Sequence, residues 1–174
     1  RGASRVKTWQ IAITIFAAVA IPYMMASLVK LKLLFFGKYY VLVPSIVAFL
    51  SDAGAYFVGI KFGKTKITPH ISPKKSLEGC LGGLATATIA MVIYGLVLLI
   101  PGFKPNFLLL IVYGIVGSFV TQLGDLSFSF IKREFGVKDF GYIIPGHGGM
   151  LDRFDSMVFT APVMYMLICL LPAF

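Results

Sequence analysis

Charge is what this chain has least of. Asp, Glu, Lys and Arg make up 13% of its 174 residues, where soluble domains carry roughly a quarter. Hydrophobic residues reach 58% and the mean hydropathy is +0.89, so the expected surrounding is a bilayer. Cysteine is nearly missing: Cys80 and Cys169 lie far apart in apolar runs. Two reduced thiols among helices are therefore favoured over a disulfide or a metal pair. Trp9 is the one tryptophan; with the Tyr and Phe near the ends of apolar runs it reads as an interfacial anchor. Neither a GxxxxGKS/T loop nor a GxGxxG turn after a strand occurs, which excludes the soluble nucleotide-binding folds. Lys and Arg outnumber Asp and Glu by 16 to 7, but no soluble basic face exists to carry nucleic acid.

What is present is a series of long apolar runs: Trp9–Val29, Tyr40–Ile60, Gly79–Ile100, Phe107–Phe130 and Met150–Leu171. Each can cross a hydrocarbon core of about 30 Å. They are too long and unbroken for the alternating strands of an outer-membrane barrel. The expected fold is an all-α polytopic membrane protein with about five transmembrane helices, forming a single integral domain over residues 1–174. Pro22, Pro44 and Pro162 fall inside spans, tolerable where neighbours satisfy the freed carbonyls. The chain starts on Arg1 rather than Met, as a fragment of a longer protein would. Twelve of the 16 basic residues share one side of such a bundle: those before the first span, in the loop after the second, and between the fourth and fifth. Lys30, Lys32, Lys38 and Lys104 face the other. The richer side is expected in the cytoplasm.

The acids say more. Carboxylates within a membrane cost several kcal/mol, roughly, and usually face a cavity, a partner or an ion. Asp52 lies inside the second span, Asp125 near the end of the fourth, and Asp152 with Asp155 in the first turns of the fifth. Asp125, Asp152 and Asp155 share the basic side, with Asp52 deeper. On the fourth span Ser118, Thr121, Asp125 and Ser129 recur every three or four residues, one polar stripe on a helix. Gly114 and Gly117 extend it with small residues that allow close helix approach. The blander reading, carboxylates that merely cap helices or pair with Arg133 or Arg153, explains one aspartate better than three. Between the last two spans, Ser129–Asp155 concentrates Lys132, Arg133, Lys138, Arg153 and the turn Pro145-Gly146-His147-Gly148-Gly149. Carboxylates bind hard cations such as Mg²⁺, Lys and Arg hold phosphate oxygens, and glycine-rich turns bring backbone N–H groups to an anion. Together they suit phosphoryl or nucleotidyl transfer. A second polar stretch, Ser72–Gly79, carries Lys74 and Lys75, and Ser72 before Pro73 reads as a helix start. His147 lacks a His or Cys companion, so fixing its loop is its expected physical role; His70 is isolated.

These elements resemble a known family. Ser129-x-x-Lys132-Arg133, Lys138-Asp139 and Pro145-Gly146-His147-Gly148-Gly149-x-x-Asp152-Arg153-x-Asp155 are similar to the signature of phosphatidate cytidylyltransferases, or CDP-diacylglycerol synthases. Ser72–Gly79, Gly124-Asp125-Leu126 with Ser129, and Ser51–Tyr56 resemble further family elements. The matches cover about residues 51–155, and the chain looks like the C-terminal two-thirds of a bacterial member whose first helices are absent. The resemblance implies transfer of the cytidylyl group of CTP to phosphatidate, giving CDP-diacylglycerol and pyrophosphate. It implies Mg²⁺ with K⁺ as a second ion, a homodimer, and a multi-pass place in the inner membrane with the site facing the cytoplasm. Carried over by position, Asp125, Asp152 and Asp155 are the metal and catalytic carboxylates, with Lys132 and Arg133 as catalytic, positively charged positions suited to phosphates. Lys74, Lys75, Ser129, Lys138, His147 and Arg153 are the substrate and phosphate positions. The rivals are a CTP-dependent polyprenol kinase, which transfers the γ-phosphoryl group, and an ion-coupled transporter, which leaves the basic, glycine-rich stretch unexplained.

Overall fold

The computed structural model describes residues 8–68, 72–137, 139–141, 149 and 151–174. The elements are α1 (Thr8–Lys32), α2 (Gly37–Tyr40), α3 (Leu42–Phe62), β1 (Lys66–Thr68), β2 (Ser72–Ser76), α4 (Leu77–Leu98), α5 (Phe107–Glu134) and α6 (Leu151–Leu170). Among the described residues five helical spans are long and apolar enough to cross a membrane, as the apolar runs predict. The fourth runs a full turn further than its apolar run, because Ile131–Glu134 stay helical after hydropathy has fallen. Pro44 costs α3 nothing, for it stands in the first turn, where its missing N–H has no intrahelical partner anyway.

Successive helices alternate in direction, so the chain ends sort into two layers. At one end α1 begins, α3 ends, α4 begins, α5 ends and α6 begins; Trp9 and Phe135 meet there with ring centroids 5.3 Å apart. At the other, Tyr40 stacks on Phe174 and Asn106 N–H donates to the Ala173 carbonyl at 2.8 Å. The apolar core, including Val43, Val47, Met91, Leu110, Tyr113, Met164 and Ile168, fills the bundle towards this second end.

Close helix contact follows from small residues. A Cβ on Gly114 would stand 2.6 Å from Thr88 Cα, and one on Gly117 2.6 Å from Val47 Cγ1, so both glycines lie at helix interfaces as their stripe predicts. Polar side chains pair across those interfaces: Ser51 with Ser118 at 2.7 Å, Thr121 with Thr160 at 2.8 Å. Such bonds contribute about 0.6 kcal/mol each in a bilayer, and they leave Ser118 and Thr121 occupied in packing.

Two elements at the first end differ from expectation. Ser72 does not start a helix. Ser72–Ser76 is the second strand of an antiparallel hairpin, paired Thr68↔Ser72 and Lys66↔Ser76. The residue before a proline is pushed to extended backbone, and an edge strand needs no N–H from Pro73. The cap of α4 is Ser76, whose hydroxyl accepts from Gly79 N–H at 3.2 Å. Glu78 completes the corner by accepting from the Lys64 and Thr65 N–H groups at 3.1 Å each. The other element is the end of α5. Gly136 has φ +67, Gly136 N–H donates to the Arg133 carbonyl at 3.0 Å and Val137 N–H to the Lys132 carbonyl at 2.9 Å. That is a Schellman stop, needing glycine at the left-handed position. It turns the chain at once towards α6.

Candidate functional site

A cleft of about 440 Å³ opens at this hairpin end of the bundle. Its walls come from five elements, with Gly79 and Cys80 contributed by the first turn of α4. α3 supplies Asp52 and Tyr56, β2 supplies Lys75, α5 supplies Gln122, Asp125 and Lys132, and α6 supplies Asp152, Arg153 and Asp155. Asp139 closes it from the segment after α5.

Each carboxylate has a distinct setting. Asp125 Oδ2 lies 2.9 Å from Lys75 Nζ, and the same ammonium donates to the Gln122 carbonyl at 2.9 Å. The hairpin is thereby tied to α5 through a side chain that its strand projects inward. One turn on, Ser129 Oγ reaches Asp125 Oδ1 at 3.5 Å. Lys132 sits between the two acids of α6: its Nζ is 3.0 Å from Asp152 Oδ1 and 3.5 Å from Asp155 Oδ2. A spacing of three residues puts both acids on one helix face, which is why a single lysine serves both. Asp152 Oδ2 accepts two further bonds, from Phe140 N–H at 2.9 Å and Gly149 N–H at 3.0 Å. A Cβ at Gly149 would stand 2.8 Å from Gly141 N and 3.0 Å from that carboxylate oxygen, so only glycine fits. Asp155 is buried, and its Oδ1 accepts from Ser156 N–H at 2.8 Å. Asp52 lies deeper, accepting from Ser156 Oγ at 2.9 Å. Asp125 is near enough to Asp52 and to Asp155 for their charges to repel.

The structure therefore brings together Asp125, Asp152, Asp155, Lys132, Lys75 and Arg153, all of which the sequence singles out. Ser129 joins them through Asp125. Arg133 stands exposed on the last turn of α5 and is not among the residues lining the cleft. Lys138, His147 and the Lys74 side chain lie outside the described residues. Sequence reasoning did not find Gln122, whose amide donates to the Cys80 carbonyl at 3.0 Å and to Ser118 Oγ at 3.2 Å. Its signal was available, one turn after Ser118 on the same stripe. Nor did it find Phe140, whose ring lies 5.3 Å from Lys132 Nζ.

The donor set suits a hard cation: Asp125 and Asp155 offer carboxylate oxygens to the same cleft, and Mg²⁺ takes about one or two carboxylates with substrate phosphates and waters. Among the described residues no three such side chains stand close enough to hold an ion unaided, so completion by an anionic substrate fits better than a closed protein cage. Lys75, Lys132 and Arg153 add three positive charges around the carboxylates. The arrangement can hold a polyanion together with a cation.

Five bilayer-crossing helices with an aspartate- and lysine-lined cleft at one end define a polytopic α-helical membrane protein. The sequence model of the Cytidylyltransferase family matches residues 2–171, and the chain belongs to that family. It is similar to the phosphatidate cytidylyltransferase of Staphylococcus haemolyticus, 46% identical over 132 residues, covering 76% of this chain and 50% of that protein. The phosphatidate cytidylyltransferase of Bacillus subtilis is 44% identical over 135 residues, covering 78% of this chain and 49% of that protein. For that of Staphylococcus aureus the identity is 43% over 132 residues, with 76% and 50% covered. The chain spans about half the length of the relatives it matches.

Proposed function

We propose that this chain carries the reaction centre of a CTP:phosphatidate cytidylyltransferase, forming CDP-diacylglycerol and pyrophosphate. The observation that carries the reading is the single cleft in which Lys75–Asp125 and Lys132–Asp152/Asp155 face each other at the membrane end of the bundle. Its support is the family membership and the names of the relatives. An oxygen of the lipid phosphate attacks the α-phosphorus of CTP, a new P–O bond forms, and the bond to the β-phosphate oxygen breaks to release pyrophosphate. No general base is needed, since a phosphate monoester is already ionised at pH 7, its second pKa being about 6. Lys75 and Lys132 exchange their carboxylate partners for phosphate oxygens, Arg153 adds a third positive charge to the cleft, and the three bring two anions together. Asp125 and Asp155, with Asp152 beside them, would hold Mg²⁺, with K⁺ as the second ion; such cations would supply charge neutralisation at the phosphates. Asp152 keeps the Phe140 and Gly149 backbones tied to the start of α6 while this happens. Lys74, Lys138 and His147, with Ser129 and Arg133, are assigned to the same phosphate-facing shell on family resemblance.

The richer distribution of basic residues around this end supports a cytoplasmic orientation in the inner membrane of a bacterium, where CTP is available. A homodimer is proposed on the family resemblance alone. The test is turnover of purified protein in mixed micelles with phosphatidate, Mg²⁺ and CTP labelled at the α-phosphorus. Label should enter the lipid as pyrophosphate appears. Release of CDP with the γ-phosphoryl group on the lipid would replace this reading with a lipid kinase. Flux of an ion or solute in proteoliposomes without CTP consumption would replace it with a transporter.

A further inference from the structure

Beside the charged cleft lies a second hollow, of about 430 Å³, of opposite character. One wall is α1, the other the end of α5, and α6 forms its floor. On α1 the lining residues Ile13, Ala17, Ala20 and Met24 recur at three or four residues, a single helical face. Those four are partly buried; Phe16 at the rim of the hollow is exposed, as are Val19 and Tyr23 outside it. The hollow exists because the middle of the face is alanine. The methyl groups of Ala17 and Ala20 line it together with Phe128 and Phe159, whose rings pack edge to face at 5.9 Å. Its polar lining residues are Thr14, whose hydroxyl already donates to the Gln10 carbonyl at 2.8 Å, and Asp139.

Asp139 is the link, since it lines both hollows. Next to it Phe140 turns its ring towards the apolar side, 5.8 Å from the Phe128 ring, while its N–H is bonded to Asp152 in the charged cleft. Phe140 thus reaches both spaces, by its ring on one side and its N–H on the other. From Ile13 to Met24 the groove runs about 16 Å at 1.5 Å per residue, half of a hydrocarbon core of roughly 30 Å. An apolar void beside a bilayer loses the dispersion contacts that a hydrocarbon would restore.

We propose that this groove seats an acyl chain of the lipid substrate, with Phe140 marking the threshold between the chain and the phosphate that enters the charged cleft. The inference rests on the reading of that cleft as a lipid-phosphate site. It makes α1 a specificity element: the size of the side chains at Ala17 and Ala20 sets how much hydrocarbon the enzyme accepts.

The experiment compares Ala17→Phe and Ala20→Phe with Ala18→Phe, an exposed position off this face. KM is measured for dioleoyl phosphatidate, for dihexanoyl phosphatidate and for CTP. The groove variants should raise KM for the long-chain lipid about tenfold, equivalent to roughly two lost methylenes, with KM for CTP and the short-chain lipid and kcat held within about twofold. Ala18→Phe should match the wild type. Equal kinetics with both lipids in the groove variants would overturn the proposal. A loss common to both lipids is resolved by photolabelling the unmodified protein with a phosphatidate bearing a diazirine in one acyl chain. Label on residues 13–24 and 151–159, displaced by unlabelled phosphatidate but not by phosphatidylcholine, sustains the assignment. Label elsewhere, or equal displacement by both lipids, sinks it and leaves the face to bulk lipid or to another protein segment. Turnover without groove labelling removes only the groove, whereas selective labelling without CTP-dependent turnover removes the cytidylyltransferase reading.

Discussion

Replacing Lys132 with Met keeps the aliphatic stem and removes the charge. The side chains of Lys132, Asp152 and Asp155 are 12%, 9% and 12% exposed, so the ammonium is the local counter-charge of two nearly dry carboxylates. Breaking a buried pair by deleting one partner costs about 3–5 kcal/mol, because the remaining charge is left uncompensated. Here the loss falls at the low end, about 3 kcal/mol, since backbone donors remain on both acids: Phe140 and Gly149 on Asp152, Ser156 on Asp155. At roughly 2–4 °C per kcal/mol for a chain of this size, Lys132→Met should melt about 6–12 °C below the parent.

The assay is thermal unfolding in detergent by circular dichroism, run as a double-mutant cycle with Asp152→Asn. If the salt bridge is energetically real, the double variant should be more stable than the sum of the singles by about 1–3 kcal/mol, the range for residues in one network. Strict additivity, or a Lys132→Met variant as stable as its parent, would refute the claim that this lysine holds the start of α6. It would then be a phosphate ligand with no structural duty.

Two further predictions concern the framework. Ser76→Ala removes the cap of α4 and should cost about 1 kcal/mol in the same melting assay; because Lys75 is the preceding residue, KM for CTP should rise as well. Gly114→Ala puts a Cβ 2.6 Å from Thr88 Cα and should lower stability by about 1–3 kcal/mol through forced separation of α4 from α5, whereas Gly102→Ala, with nothing within 4 Å but φ +90, tests strain without crowding.

The spans were legible because hydrocarbon solvation acts on composition: about 20 residues without charge can hardly be anything but a crossing helix. The alternation of helix directions followed from five successive spans, and with it the gathering of the basic residues at one end. So did the meeting of Asp125, Asp152 and Asp155 at one end, a conclusion that needs only helix period and topology. The hairpin was not legible. Lys66–Thr68 and Ser72–Ser76 are short, polar and free of alternation, and Ser-Pro signals an extended residue as readily as a helix start. Partner choice was hidden for a different reason. Lys75 pairs with Asp125 and Lys132 with Asp152 and Asp155 across elements 20 to 50 residues apart, and charge pattern alone would equally allow Arg133 or Arg153 in those places. The groove on α1 was invisible because alanine in an apolar helix looks like any lipid-facing residue until the opposite wall is known.

The acids that look equivalent in sequence are not equivalent in place. Asp152 has its two oxygens committed to three N–H donors, one of them Lys132 and two of them backbone groups of the connection into α6. To give an oxygen fully to a cation it must release part of that connection. Asp125 has Lys75 and the distant Ser129 hydroxyl, and its side chain is 35% exposed to the cleft, so substrate or ion can reach it without disturbing the backbone. The two Asp→Asn variants should therefore separate. Asp152→Asn is expected to lose stability, about 2 kcal/mol for charge-assisted bonds weakened to neutral ones, along with activity. Asp125→Asn should keep its melting temperature within about 2 °C yet lose roughly 100-fold in kcat, the scale of removing one preorganised electrostatic contact. Melting temperature and CTP-dependent lipid turnover, measured on the same preparations, decide the matter. If Asp125→Asn turns over normally, or if it is the variant that unfolds, the division between an anchoring and a working carboxylate is wrong.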